Sequence, residues 1–152
     1  MASPERRTRN REEGVVVDAS VVLKLLLPEE HSETVHRVWS RWVERDTELV
    51  APFLLAYEVV SVLRNKVVRG ELTPEGGDAA FVAFRSQEIA LRHPDGIEEK
   101  AWALAKTWKL HTTYDATYLA LAELLDYELW TADRRFAAQV GKKAPGLRVI
   151  TE

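Results

Sequence analysis

Short runs of β-branched and aliphatic residues alternate along the chain with longer segments whose apolar positions recur every three to four residues. Val15, Val16 and Val17 form the first run, ending at Asp18. It has no polar alternation, as expected of a strand buried on both faces. Ser20 to Leu27 reads as a short apolar helix stopped by Pro28. Residues 29 to 45 place Val35, Val38, Trp39 and Trp42 at helical spacing. Leu49 to Ala51 reads as a second strand ended by Pro52, and Phe53 to Arg69 as a helix closed by Gly70 at C′. Thr73-Pro74-Glu75 is a helix start, with a Thr cap and Pro at the first position, and that helix runs to about Ser86. Ile89 to Leu91 is a third strand. Ile97 to Lys109 is a helix with Ala101, Trp102, Ala105 and Trp108 assigned to one face. A helix over Asp115 to Leu125, a strand over Glu128 to Thr131, a short helix over Asp133 to Val140 and a strand over Leu147 to Ile150 complete the pattern.

Apolar strands alternating with amphipathic helices predict an α/β fold, a parallel sheet with helices on both faces. In such sheets ligands bind beyond the carboxyl ends of the strands. Residues 1 to 13 carry four arginines and three glutamates and nothing apolar beyond Met1, Ala2 and Pro4. They predict a flexible charged arm, and residues 14 to 152 a single domain.

At 152 residues, with 46% apolar and 30% charged residues, the chain can bury one substantial core. The absence of cysteine excludes disulfide frameworks, zinc–thiolate and iron–sulfur sites, and cysteine nucleophiles. The net charge of −3 disfavours a protein that coats nucleic acid by bulk charge. No apolar run is long enough to span a bilayer, and the charged N-terminus lacks the apolar core of a secretory signal, so a cytoplasmic protein is expected. Glycine-rich phosphate loops are absent.

Four acids stand out. Asp18 ends the first strand, Asp133 lies two residues past the fourth, Asp115 opens the helix DATYLALAE, and Glu58 sits within the helix FLLAYEVVSVLRN beside its apolar stripe. Taken singly, each aspartate can be a helix cap, and Glu58 can be a core-edge acid paired with Arg64 or Arg92. Taken together, two strand ends and one helix start bring carboxylates to the same sheet edge. Like charges there raise one another's pKa, and a hard divalent cation relieves the repulsion. Oxygen ligands favour Mg²⁺ or Mn²⁺, whose natural chemistry is metal-assisted phosphodiester hydrolysis.

The blocks VVVDASVVLKLLLPEE, APFLLAYEVVSVLRN and TTYDATYLALAELLDYELWTADRRF resemble those of PIN-domain ribonucleases, most closely the VapC-type toxins of prokaryotic toxin–antitoxin pairs. The resemblance spans about Val15 to Ile150. It implies an α/β/α sandwich with a central parallel sheet, a Mg²⁺- or Mn²⁺-dependent endoribonuclease, a homodimer and a cognate antitoxin. The family's acidic quartet, catalytic and metal-binding, falls on Asp18, Glu58, Asp115 and Asp133, with Ser20 and Thr131 as supporting polar residues. The chain departs from the family in its longer leading arm and in Trp130, where an aliphatic residue is usual; Trp130 is expected to pack in the sheet.

Arg134 and Arg135 follow Asp133, with Lys142, Lys143 and Arg148 nearby. From Thr131 to Glu152 five positive and two negative residues give +3. This is either an RNA-contacting phosphate rim or a solvated basic face. Arg64, Lys66 and Arg69 suit the dipole at a helix end. His31, His36, His93 and His111 form no metal motif, though His111 lies four residues before Asp115. Trp39, Trp42, Trp102 and Trp108 are assigned to core or interface packing rather than base stacking. Tyr114 and Tyr118 flank Asp115 as cleft-lining candidates. Two rival functions are a metal-dependent phosphatase of another α/β family, whose haloacid-dehalogenase type is disfavoured because Ser20 stands where a second Asp is needed, and a non-catalytic PIN-like module that binds RNA or protein, disfavoured because all four acids are present.

Overall fold

The computed structural model describes residues 14–141 and 144–150; the expected arm over residues 1–13, and Lys142 and Lys143 of the basic rim, lie outside them. Five strands and seven helices follow one another as β1 (Gly14–Val17), α1 (Ala19–Leu26), α2 (Ser32–Glu44), β2 (Glu48–Pro52), α3 (Leu54–Val68), α4 (Pro74–Arg85), β3 (Ala90–Arg92), α5 (Ile97–Thr107), α6 (Tyr114–Leu125), β4 (Glu128–Thr131), α7 (Arg134–Val140) and β5 (Leu147–Val149).

The strands form one parallel sheet in the order β3-β2-β1-β4-β5. β1 is central, with Val16 opposite Val50 of β2 and Leu129 of β4. Its four residues are all buried, which is why the run carries no polar alternation. The chain runs outward from β1 to β3 on one side and from β4 to β5 on the other. The gap between β1 and β4 is therefore the point where strand order reverses, the place in open α/β sheets where a crevice forms.

Helices cover both faces. α6 packs on β1, β2 and β4 with α5 laid against it, while α1 packs with α2, α3 and α4. Val16, Val17, Val21, Val22, Val50, Leu55, Leu121 and Leu129 are fully enclosed between these layers. α3 ends at Gly70, whose φ of +74° suits a glycine C′ residue. Gly77 of α4 lets that helix approach α3 closely, because a Cβ there would overlap Val67 Cγ2. Thr73 caps α4 by accepting from the Gly76 N–H at 2.9 Å, with Pro74 at the first position as expected.

The tryptophans divide. Trp39 and Trp42 are buried, meet edge to face at 5.8 Å, and Trp42 meets Trp130 at 5.3 Å. Trp130 is thus packed on the sheet, with its indole N–H buried and unpartnered among the described residues. Trp108 is half-buried against the core. Trp102 is not a core residue: it is 63% exposed. α5 buries Ile97, Ala101 and Ala105, a stripe of fourth neighbours, and the next residue round the helix from Ala101 is turned by about 100° into solvent.

Candidate active site

Two of the predicted carboxylates, Asp18 and Asp133, follow β1 and β4 where the strand order reverses, and Asp115 is near enough to both, and to Glu58, for their charges to act on one another. Asp18 follows β1 directly. Its backbone N–H donates to the Trp130 carbonyl at 3.3 Å, which ties the end of β1 to β4. Its carboxylate Oδ1 accepts from the Val21 N–H at 3.2 Å, so Asp18 is the N-cap of α1. Oδ1 also accepts from the Ser20 hydroxyl at 2.5 Å. Asp18 and Thr131 are the two buried polar residues of the described chain.

Ser20 and Thr131 form the bridge that holds this corner. The Ser20 Oγ accepts from the Ala132 N–H at 2.8 Å and lies 3.3 Å from the Thr131 hydroxyl. Thr131 Oγ1 in turn accepts from the Asp133 N–H at 3.0 Å. Two hydroxyls therefore fix the turn that carries Asp133 against the start of α1. Asp133 repeats the arrangement of Asp18: it caps α7, its Oδ1 accepting from the Phe136 N–H at 3.1 Å, but it is exposed.

Glu58 and Asp115 come from the helices. Neither Arg64 nor Arg92 pairs with Glu58; it accepts from the Tyr118 hydroxyl of α6 at 2.7 Å. Arg92 is bound to Glu48, beside the Tyr127 hydroxyl that donates to the same carboxylate at 2.8 Å. Asp115 sits in the first turn of α6 and is not its cap. That position belongs to Thr113, which makes no side-chain cap bond. The Asp115 carboxylate thus lies at the positive end of the helix dipole without serving as the cap.

The electrostatics of the four acids differ with burial. Desolvation is the largest influence on Asp18 and raises its pKa from 3.8 to about 6, against the lowering effect of its bonds to Ser20, Thr131 and Val21. Glu58 is raised by burial and by the charge of Asp115, with the Tyr118 hydroxyl opposing. Asp115 is raised by burial and by the charge of Asp133. Burial and the Glu58 carboxylate push the Tyr118 phenol far up, so it remains a donor. Sequence reasoning did not single out Tyr118 as the partner of Glu58. The signal was its place three residues after Asp115, on the same helix face.

Among the described residues no three His, Asp or Glu side chains converge closely enough to grip an ion between them. Asp18, Glu58 and Asp133 each turn an oxygen toward a protein donor. The donor set nonetheless suits Mg²⁺ or Mn²⁺. It offers only oxygen, its acids repel one another, and Mg²⁺ is usually held by one or two carboxylates with water completing the shell.

Arg134 and Arg135 are exposed beside Asp133, and Arg134 Nη2 lies 3.4 Å from His31 Nε2. Arg148 pairs with Glu128 at 3.3 Å. Lys66 pairs with Glu29 and Glu71 and has a structural role at the end of α3. His93 stacks on Phe53 and pairs with Glu98. No described helix is long and apolar enough to cross a membrane.

The profile of the PIN domain matches residues 15–142. Ribonuclease VapC3 of Pyrobaculum aerophilum is 36% identical over 135 residues, 88% of this chain and 96% of that protein. The crystal structure of PAE2754 from the same organism superposes with a TM-score of 0.67 at 21% identity, covering 90% of this chain and 89% of the other. A toxin–antitoxin complex from Klebsiella pneumoniae contributes a chain with TM-score 0.64 at 18% identity, covering 91% and 98%.

Proposed function

The chain belongs to the PIN-domain family, and from that premise we propose that it is a VapC-like endoribonuclease, a metal-dependent toxin that hydrolyses RNA phosphodiester bonds and is held in check by a cognate antitoxin. The observation that carries this reading is the set of acids whose charges act on one another around Asp115, with Asp18 buried and its pKa raised to about 6. An acid kept in that state against its own solvation suits a cation site better than a purely structural cap. Relatives named as VapC ribonucleases, matched over most of both chains, support the same chemistry.

Asp18, Glu58, Asp115 and Asp133 would hold Mg²⁺ or Mn²⁺, one or two of them directly and the others through water. When bound, the ion supplies a nucleophilic water at neutral pH and charge stabilisation at the scissile phosphate. The residues do the rest. Ser20 and Thr131 fix the Asp18 carboxylate and the Asp133 turn in one geometry. The Tyr118 hydroxyl sets the direction of Glu58. Arg134 and Arg135, exposed beside Asp133, would meet phosphates of the RNA. A homodimer and an antitoxin docking near the acidic centre complete the reading; the toxin–antitoxin complex among the fold's neighbours supports the second.

The test is cleavage of tRNA, rRNA and mRNA in Mn²⁺ and in EDTA, with Asp115→Asn as the control, alongside thermal unfolding in the same buffers. Cleavage in Mn²⁺ alone, lost in the variant with the fold intact, is expected. A native-state ligand at a hundredfold excess over its Kd stabilises by about 2.7 kcal/mol, so a Mn²⁺-dependent rise in Tm should accompany it. Full activity in EDTA or in Asp115→Asn refutes the assignment.

A further inference from the structure

An open cleft of about 640 Å³ lies between the end of α5 and the start of α6, lined by Trp102, Lys106, Lys109, His111, Thr113 and Tyr114 among others, with no acidic residue in its wall. Trp102, Lys106 and Lys109 are spaced as i, i+4 and i+7, so they share one stripe of the α5 helix and its end. Tyr114 precedes Asp115 directly in the chain, at the start of α6. Its volume falls within the range of sites that enclose small organic groups.

Three features distinguish its walls. Trp102 and Tyr114 are 63% and 57% exposed, two large aromatic faces presented to solvent. The lysines are unpaired: Lys24, Lys66 and Lys100 each pair with a glutamate, whereas no ion pair engages Lys106 or Lys109. Lys109 also holds φ at +54°, just past the helix end where glycine or asparagine is the usual residue. The backbone there would be more relaxed with glycine.

We propose that this cleft is a lane for single-stranded RNA, in which unpaired bases stack on Trp102 and Tyr114 and phosphates lie against Lys106 and Lys109, feeding the strand toward Asp115. Exposed aromatic faces beside unpaired cations are the recognition chemistry of single strands, whose bases are free to stack. The proposal rests on the ribonuclease reading above and adds the path the substrate takes.

The test uses the full chain carrying Asp18→Asn to prevent cleavage, and a mixed-sequence fluorescein-labelled 12-nucleotide single-stranded RNA, followed by anisotropy over a salt series. Trp102→Ala should weaken binding roughly 5- to 150-fold with the salt slope unchanged. Lys106→Ala with Lys109→Gly should lower the slope of log affinity on log salt by about 1.4, from about 0.7 per phosphate contact on a single strand. Lys109→Gly alone should raise Tm while weakening binding, a pairing that a structural role for the lysine does not produce. In the cleaving protein the same substitutions should raise KM more than they lower kcat. Should wild-type RNA cleavage persist while all three variants bind with unaltered affinity and slope, the lane is refuted and the face falls to a protein partner. Failure of the parent protein to bind or cleave any RNA would instead overturn the ribonuclease reading, and the lane with it.

Discussion

Replacing Asp18 with asparagine separates what its charge does for the fold from what it does for the chemistry. The carboxylate is 7% exposed, and burial raises its pKa from 3.8 to about 6. The native carboxyl therefore keeps its proton to higher pH than the unfolded one. Stability from this group is fully present below pH 3.8 and is lost as the pH rises through about 6. Integrated over that shift, the ionised group costs about 3 kcal/mol at pH 7.5 and about 1 kcal/mol at pH 4.5. Asparagine caps a helix as well as aspartate does, and its Oδ1 can still accept from Ser20 and Val21. Its amide –NH₂ must find room where the second oxygen was, which subtracts an amount that does not vary with pH. The decisive quantity is thus the change in the difference between the two proteins, about 2 kcal/mol from pH 4.5 to pH 7.5. In EDTA, the Tm of Asp18→Asn relative to wild type should rise by about 4–8 °C between the two pH values. The variant should lose RNA cleavage and the Mn²⁺-induced rise in Tm. A Tm difference that is the same at both pH values would show that the buried charge does not oppose folding, and would remove the physical basis for reading Asp18 as a cation-dependent group.

Tyr118→Phe removes the donor to Glu58. The carboxyl should then titrate higher still, so the acid limb of the cleavage rate should move to higher pH while stability falls by about 1–2 kcal/mol; an acid limb that stays put would show that Glu58 does not act as an ionised group. Ser20→Ala leaves the Ala132 N–H and the Asp18 carboxylate without their common partner. It should lower the urea midpoint by the equivalent of about 1–3 kcal/mol with the m-value unchanged, and reduce cleavage; wild-type stability would mean that water replaces the hydroxyl.

Nearly all of the fold could be read from the alternation of apolar runs, because a parallel sheet covered on both faces leaves its strands uniformly apolar and its helices amphipathic. The displacements are small: β3 lies one residue later than Ile89 to Leu91, and α5 ends at Thr107 rather than Lys109. The positions of Asp18 and Asp133 could be read for the same reason, since a residue just past a strand lies on the ligand-binding edge whatever its partners. What could not be read were pairings between elements. Glu58 finds Tyr118 sixty residues away, and Arg92 finds Glu48 across neighbouring strands. Trp102 falls off the buried face expected for it because Ile97, Ala101 and Ala105 form that stripe of α5, and apolar spacing alone does not reveal which side faces inward.

Capping and catalysis appeared at first as rival readings of Asp18 and Asp133, and the structure shows the contacts of a cap at both. The two readings are compatible for a topological reason. In a parallel sheet, strands end and the following helices begin on the same edge, so a residue that caps a helix there also faces the crevice between β1 and β4. Capping needs an oxygen acceptor but not a charge, and a neutral asparagine serves it equally well. At Asp18 the charge is opposed by burial more strongly than the cap and hydroxyl bonds favour it. Nothing in the fold therefore calls for an ionised group at that position. A cation together with an RNA phosphate would, which makes the charge, rather than the residue's place at a helix start, the feature that points to function.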